Sequence, residues 1–117
     1  MMRLHQLAIF LILCCMINTA CSKKAVFEGV IAQKSSSESG YEILVIKNIP
    51  DEVLENGTPD EIVEYAYKND NGIIFYVSEK EYYDVKVGQK VSVSHSGPAQ
   101  ESLPPKVGAD SVEVLKE

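Results

Sequence analysis

The chain has no tryptophan, one arginine, at position 3, and three cysteines, all at or before position 21. Each scarcity removes a class of explanation. Residues 22–117 contain no thiol, so they can form no internal disulfide and must be held by a packed core. No Cys/His cluster stands at zinc-ligand spacing. His5 and His95 are the only histidines, and His95 lacks the serine and acid partners of a hydrolytic triad. Neither a phosphate-binding loop nor a glycine-rich nucleotide motif occurs. After residue 20 the chain carries ten lysines against seventeen acidic residues, a net charge of −7. So little clustered positive charge does not suit a phosphate backbone, and nucleic acid is not an expected partner. The longest apolar run, Leu7 to Ile17, has about eleven residues, against the roughly 20 that a membrane-spanning helix needs.

That short run is nevertheless organised. Arg3 precedes it, and Asn18-Thr19-Ala20-Cys21 follows it. The pattern of a positive start, an apolar stretch and small residues before a cysteine resembles the export signal and lipobox of bacterial lipoproteins. The resemblance implies that residues 1–20 are a signal peptide and that the Cys21 thiol receives a diacylglyceryl group, with palmitate as a typical acyl chain. Asn18 replaces the usual aliphatic residue. Cys14 and Cys15 follow Leu13 and Cys14 rather than a small residue, and read as apolar filler. Residues 21–24 then form a lipidated cysteine and a short tether, and residues 25–117 form one domain. Three extended residues reach only about 10 Å, so the domain is expected to ride close to the lipid. Lys23 and Lys24 can meet anionic headgroups there, although any polar residues would serve a tether equally well, and the chain is expected on the extracytoplasmic face of the cell membrane.

The remaining 97 residues suffice for a small core that buries about 60–65% of the unfolded surface. Ala25 to Lys34 reads as a first strand, with Gly29 marking a bulge or a close approach of another strand. Residues 33–40 read as a long polar loop and Tyr41 to Lys47 as a second strand. Asn48 to Gly57 reads as a boundary. Thr58-Pro59-Asp60-Glu61 is a helix start, with a capping threonine, proline in the first turn and glutamate three residues on. The helix then presents a stripe of Ile62, Val63, Ala66 and Tyr67. Asn69-Asp70-Asn71-Gly72 stops it. Ile73 to Val77, Lys90 to His95 and Asp110 to Leu115 are further strands, and Ser78 to Asp84 is a polar connection. Five strands and one helix after the second strand predict a mainly β domain, a small five-stranded OB-like barrel. An α+β open sheet with one helix is the alternative.

Several short stretches also resemble a known family. They are Glu28-Gly29-Val30, Ile43-Leu44-Val45, Val87-Gly88-Gln89-Lys90-Val91, Gly97-Pro98, Glu101-Ser102-Leu103-Pro104, Ala109 and Val112-Glu113-Val114. Together they are similar to the small lipoproteins of Gram-positive bacteria grouped as domain of unknown function 3221. Leu103 stands where that family often has an aromatic residue, and Pro105 where a smaller one is common. The resemblance implies a surface lipoprotein with an OB-like fold, and it supplies no reaction, cofactor or catalytic residue.

Glu101, Ser102 and Pro104 are the candidate ligand or partner loop, since Glu101 and Ser102 are the matched polar pair able to face a ligand. Asn69 to Gly72 lacks calcium-loop spacing, with Tyr67 at the first ligand position and Ser78 where a glutamate is needed. Glu52, Glu55, Asp60, Glu61 and Glu64 offer acidic neighbours for a cation, although helix starts favour acids in any case. The expected function is a non-catalytic, membrane-tethered binding or regulatory module of the cell envelope. Its expected partners are membrane lipid, through acylated Cys21, and a membrane or envelope protein, through the barrel face or residues 97–108. A small-ligand or divalent-cation sensor is the alternative, and an envelope enzyme ranks third. No cofactor or metal is expected.

Overall fold

The computed structural model describes residues 24–116, so the expected signal peptide, residues 1–20, and the expected lipidation site Cys21 lie outside the described residues. Six strands form one sheet: β1 (Ala25–Ser37), β2 (Gly40–Ile46), β3 (Gly72–Val77), β4 (Lys90–His95), β5 (Lys106–Gly108) and β6 (Ser111–Val114). Their order across the sheet is β5-β3-β2-β1-β4-β6, with β5 parallel to β3 and every other pair antiparallel. The long β1 is the spine. Its first half pairs with β4 and its second with β2, and the register shifts at Ala32, between the Ile31 and Gln33 pairings. Such a bulge bends a strand and increases its twist, which lets one strand serve both sides of a curled sheet.

The sheet curls far enough that consecutive amides reach its two flanks. Ala109 N donates to Tyr76 O of β3 at 2.9 Å, and Asp110 N donates to Ser94 O of β4 at 2.7 Å. Residues 106–114 thus behave as one bent closing strand that pairs with β3 and then with β4. The fold is mainly β and OB-like. β5 is a sixth strand beyond the five expected, and its three residues are too few to show alternation.

Two cores lie on opposite sides of β2. Ile43 and Val45 point into the curled sheet with Ile31, Phe75, Val85, Val91, Val93 and Val107. Leu44 and Ile46 point outward and pack with Ala32, Ile49, Ile62 and Ala66. The outer core is roofed by α1 (Asp51–Asn56) and α2 (Pro59–Asn69), both inserted between β2 and β3. A third helix, α3 (Glu79–Asp84), follows β3. The single expected helix is therefore one of three among the described residues. The two missed helices have six residues each, too short for a 3.6-residue period to declare itself.

Side-chain capping explains where α2 and α3 start; α1 begins after Pro50 without one. Thr58 accepts from the Glu61 amide as expected, but its hydroxyl donates to the Glu61 carboxylate, so only half of a capping box forms there. The complete box is at α3. Ser78 Oγ accepts from Glu81 N at 3.1 Å, and Ser78 N donates to Glu81 Oε1 at 3.0 Å. Lys34 fastens the other end of α3. Its ammonium donates to Val85 O at 2.9 Å and lies 4.2 Å from the Tyr82 ring centroid.

In α2 the buried stripe is Ile62 and Ala66, with Val63 and Tyr65 half-buried. Tyr65, not Tyr67, is the packed aromatic; its hydroxyl donates to Asn48 O, while Tyr67 is exposed. The first hairpin also differs from expectation. β1 continues to Ser37 and the turn is only Glu38–Ser39, because Ser35, Ser36 and Ser37 pair through their backbones with Glu42, Tyr41 and Gly40.

Gly29 marks a close approach: a Cβ there would stand 2.7 Å from Ile46 O. Gly72 sets the distance between α2 and β3, since a Cβ there would lie 2.6 Å from Ala66 Cβ. Gly72→Ala is expected to destabilise the domain by roughly 1–3 kcal/mol through overpacking. Ala66→Gly in the same chain should recover part of the loss despite its own helix cost of about 1 kcal/mol. Denaturant titration of both variants checks this, and additive losses would place the constraint elsewhere.

Candidate functional site

In an OB-fold, the face of the second and third strands, flanked by the first and fourth inter-strand loops, is the usual ligand surface. Here most of that face is closed by the chain itself, since α1 and α2 sit on Leu44 and Ile46 with Ile74 packed beside them. One end stays uncovered. Glu42 and Tyr76 are paired across β2 and β3 there, and the β4–β5 loop folds down beside them.

That loop is well anchored. Gln100 and Lys106 bridge by two backbone hydrogen bonds, and Ile74 N donates to Pro105 O at 2.9 Å. The Tyr76 hydroxyl donates to Gln100 Oε1 at 3.2 Å. Ser102 Oγ donates to Pro104 O at 2.7 Å, and Pro104, preceded by a cis peptide bond, is buried. At the base of the loop, Ser96 Oγ donates to Asp110 Oδ2 at 2.7 Å.

Beneath this loop the charges are already matched. Lys106 Nζ lies 3.0 Å from Glu42 Oε1, with side chains 31% and 21% exposed. The Glu42 oxygen is shielded from solvent, and the Lys106 ammonium is its charged partner. The carboxylate beside Lys106 raises the lysine above its ordinary value, against the opposing effect of desolvation.

Between the loop and the end of α2 runs an open, largely apolar groove of about 680 Å³, lined by Asp70, Ala99, Gln100, Glu101, Ser102, Leu103 and Pro105. The structure therefore brings Glu101 and Ser102 together on one wall. Pro104 is not on that wall; it lies buried behind it, where it supports the loop. Ser102 spends its hydroxyl on the loop's own backbone. Leu103, at 72% exposure, was read only as a family position, yet it is the most exposed large hydrophobic side chain among the described residues. Asp70 joins the site from the helix stop and has left-handed backbone geometry, φ 49°. No sequence signal linked it to a loop thirty residues away.

Other groups gather elsewhere. Tyr41, Tyr82 and Tyr83 pack on one another beside α3, with ring centroids 5.0–6.0 Å apart. Desolvation, followed by the neighbouring Glu79 and Tyr83, pushes the Tyr41 phenol up. A smaller cleft of about 330 Å³ includes Glu28, Lys47 and Lys90. Among the described residues, no three histidine, cysteine or carboxylate side chains are grouped to hold a metal ion, and His95 packs against Phe75 at 5.5 Å between ring centroids.

Comparison with known proteins agrees with this architecture. Residues 28–116 match the family model described as Protein of unknown function (DUF3221), and the chain belongs to that family. No functionally curated protein matches it. The crystal structure of YobA from Bacillus subtilis is similar at TM-score 0.63 and 22% identity, covering 80% of this chain and 96% of that one. The solution structure of residues 21–120 of B. subtilis YobA gives TM-score 0.65 and 22% identity, covering 83% and 86%. At that identity the likeness shows a shared fold.

The Glu42–Lys106 pair generates a prediction. A double-mutant cycle with Glu42→Gln and Lys106→Met should give a coupling of about 0.5–1 kcal/mol near neutral pH, as for pairs that keep some solvent contact. The lysine's folded value is raised, so its contribution is complete below the ordinary lysine value and disappears as pH climbs through the folded one. Thermal melts should therefore show the coupling unchanged from neutral to mildly alkaline buffer and absent in strongly alkaline buffer. Coupling that persists in strongly alkaline buffer would show that the lysine's charge does not carry it.

Proposed function

We propose that this DUF3221 protein is a non-catalytic binding or regulatory module, held on the extracytoplasmic face of the cell membrane by lipid on Cys21. The observation that carries the reading is Asn18-Thr19-Ala20-Cys21 after a short apolar run, followed almost at once by folded chain, since Ala25 already pairs with His95. Ser22 to Lys24 leave a reach of about 10 Å between acylated sulfur and sheet. Such a tether confines encounters to the membrane and its immediate surface.

The groove beside the β4–β5 loop supports a binding role. A rigid loop with an exposed leucine beside an apolar trough is the geometry of a docking surface. Its carboxylates, Asp70 and Glu101, are offered without a histidine, thiol or activated hydroxyl beside them, which favours recognition over reaction. The net charge and the helix-covered β2–β3 face make nucleic acid a poor ligand. Among the described residues no three carboxylate, histidine or cysteine side chains are grouped to hold an ion, the acidic neighbours of α1 and α2 included, so the cation-sensor alternative gains no support there.

Labelling of expressing cells with palmitate tests the anchor. Cys21→Ala should lose the label and accumulate as unprocessed precursor or as released chain. Normal processing with full lipid incorporation would overturn the reading. Insertion of a long flexible linker after Lys24 should keep the label and impair function if proximity to the membrane matters; unchanged function would reduce the anchor to retention.

A further inference from the structure

We propose that the groove between the end of α2 and the β4–β5 loop takes an extended polypeptide segment from a partner protein, one that alternates aliphatic side chains with lysine or arginine. This rests on the binding-module reading above and names its ligand.

Three observations converge on that chemistry. The first is charge. Asp70 and Glu101 line the groove and no cationic side chain does, while Lys106, the cation beneath the loop, is already committed to Glu42. The domain as a whole is acidic, so the trough attracts a basic ligand and repels an anionic one. The second is shape and polarity. Leu103, Ala99 and Pro105 give the trough an apolar surface, and about 680 Å³ admits a few side chains rather than a metal ion or a water-sized ligand. The third is the backbone. Among the described residues, the amides of Glu101, Ser102 and Leu103 donate to no group of the chain. They are therefore available to a ligand's main chain, as in strand-like peptide recognition. The same loop is pinned at Gln100, Ser102, Pro104 and Pro105, so little ordering entropy is lost when a ligand arrives.

A lipid surface is the competing occupant for an exposed leucine. Glu101 and Asp70 oppose it, because anionic headgroups would meet two carboxylates beside the inserted side chain.

The test uses the full-length chain in a neutral maltoside detergent and a fluorescein-labelled octapeptide that alternates lysine with leucine and valine, read by anisotropy against a detergent-only control. The lysine peptide should bind, and its glutamate counterpart should bind at least about tenfold more weakly. Glu101→Lys should weaken the lysine peptide about tenfold and Leu103→Ser severalfold, with melting temperatures unchanged because both side chains are exposed. Affinity should fall as salt rises. Equal binding of the two peptides, no binding of the lysine peptide, or indifference to both substitutions would overturn the proposal. So would a Cys21→Ala chain that binds phosphatidylglycerol vesicles through Leu103, since the occupant would then be lipid. The anchor is judged separately: peptide binding without palmitate labelling leaves the groove assignment standing and removes the tether, and the reverse result removes only the groove.

Discussion

Burial of β2 on both faces is the constraint from which the rest of the molecule follows. Ile43, Leu44, Val45 and Ile46 are all at most 3% exposed. Alternate side chains of a strand point to opposite faces, so an unbroken apolar run cannot be satisfied by one core. Ile43 and Val45 require a curled sheet around them, and Leu44 and Ile46 require a lid. The chain provides the lid immediately: after Lys47 it turns at Asn48, buries Ile49 and lays α1 and α2 across the outer face.

Roofing that face has a functional consequence. The surface that small β-barrels of this kind commonly offer to ligands is occupied by the protein's own helices, which moves the available concavity to one end. There the bent segment 106–114 closes the curl, and the loop leading into it is held by backbone bridges rather than left free. The same closure that completes the core therefore produces a stiff, partly apolar wall. Lys106, beneath the loop, is engaged by Glu42, and no lysine lines the groove that Asp70 and Glu101 share.

Legibility from sequence tracks the range of the interaction. Ile43 to Ile46 and Ile73 to Val77 were readable as strands because their apolar runs are local, and α2 was readable through Thr58, Pro59 and Glu61. The full capping box at Ser78–Glu81 carried the same signature, but with six helical residues behind it and two tyrosines within, no apolar period confirmed it. The β1 extension was hidden because serines pair through their backbones as well as valines do. Tyr65 outranks Tyr67 because Asn48 O happens to stand within reach of its hydroxyl, a fact set by the turn after β2. At the candidate site, Glu101 and Ser102 could be picked out along the loop. Pro104's inward position, and the meeting of Leu103 with Asp70, depend on how the loop is pinned.

What the sequence alone determined was the set of local facts: a lipobox-like cysteine close ahead of the first strand, the absence of thiols after Cys21, strongly apolar strands, one capped helix and an acidic composition. These arise from near-neighbour chemistry and from composition, which do not need a fold to act. Tertiary structure alone decided which strands adjoin, that the closing segment is split between β3 and β4, and that Asp70 and Glu101 share a groove. Those are contacts between residues far apart in the chain, and their geometry is set by the bend at Ala32 and the double burial of β2. The apolar run Ile43 to Ile46 announces the double burial locally, but nothing local announces the bend at Ala32 or which distant residues it brings together.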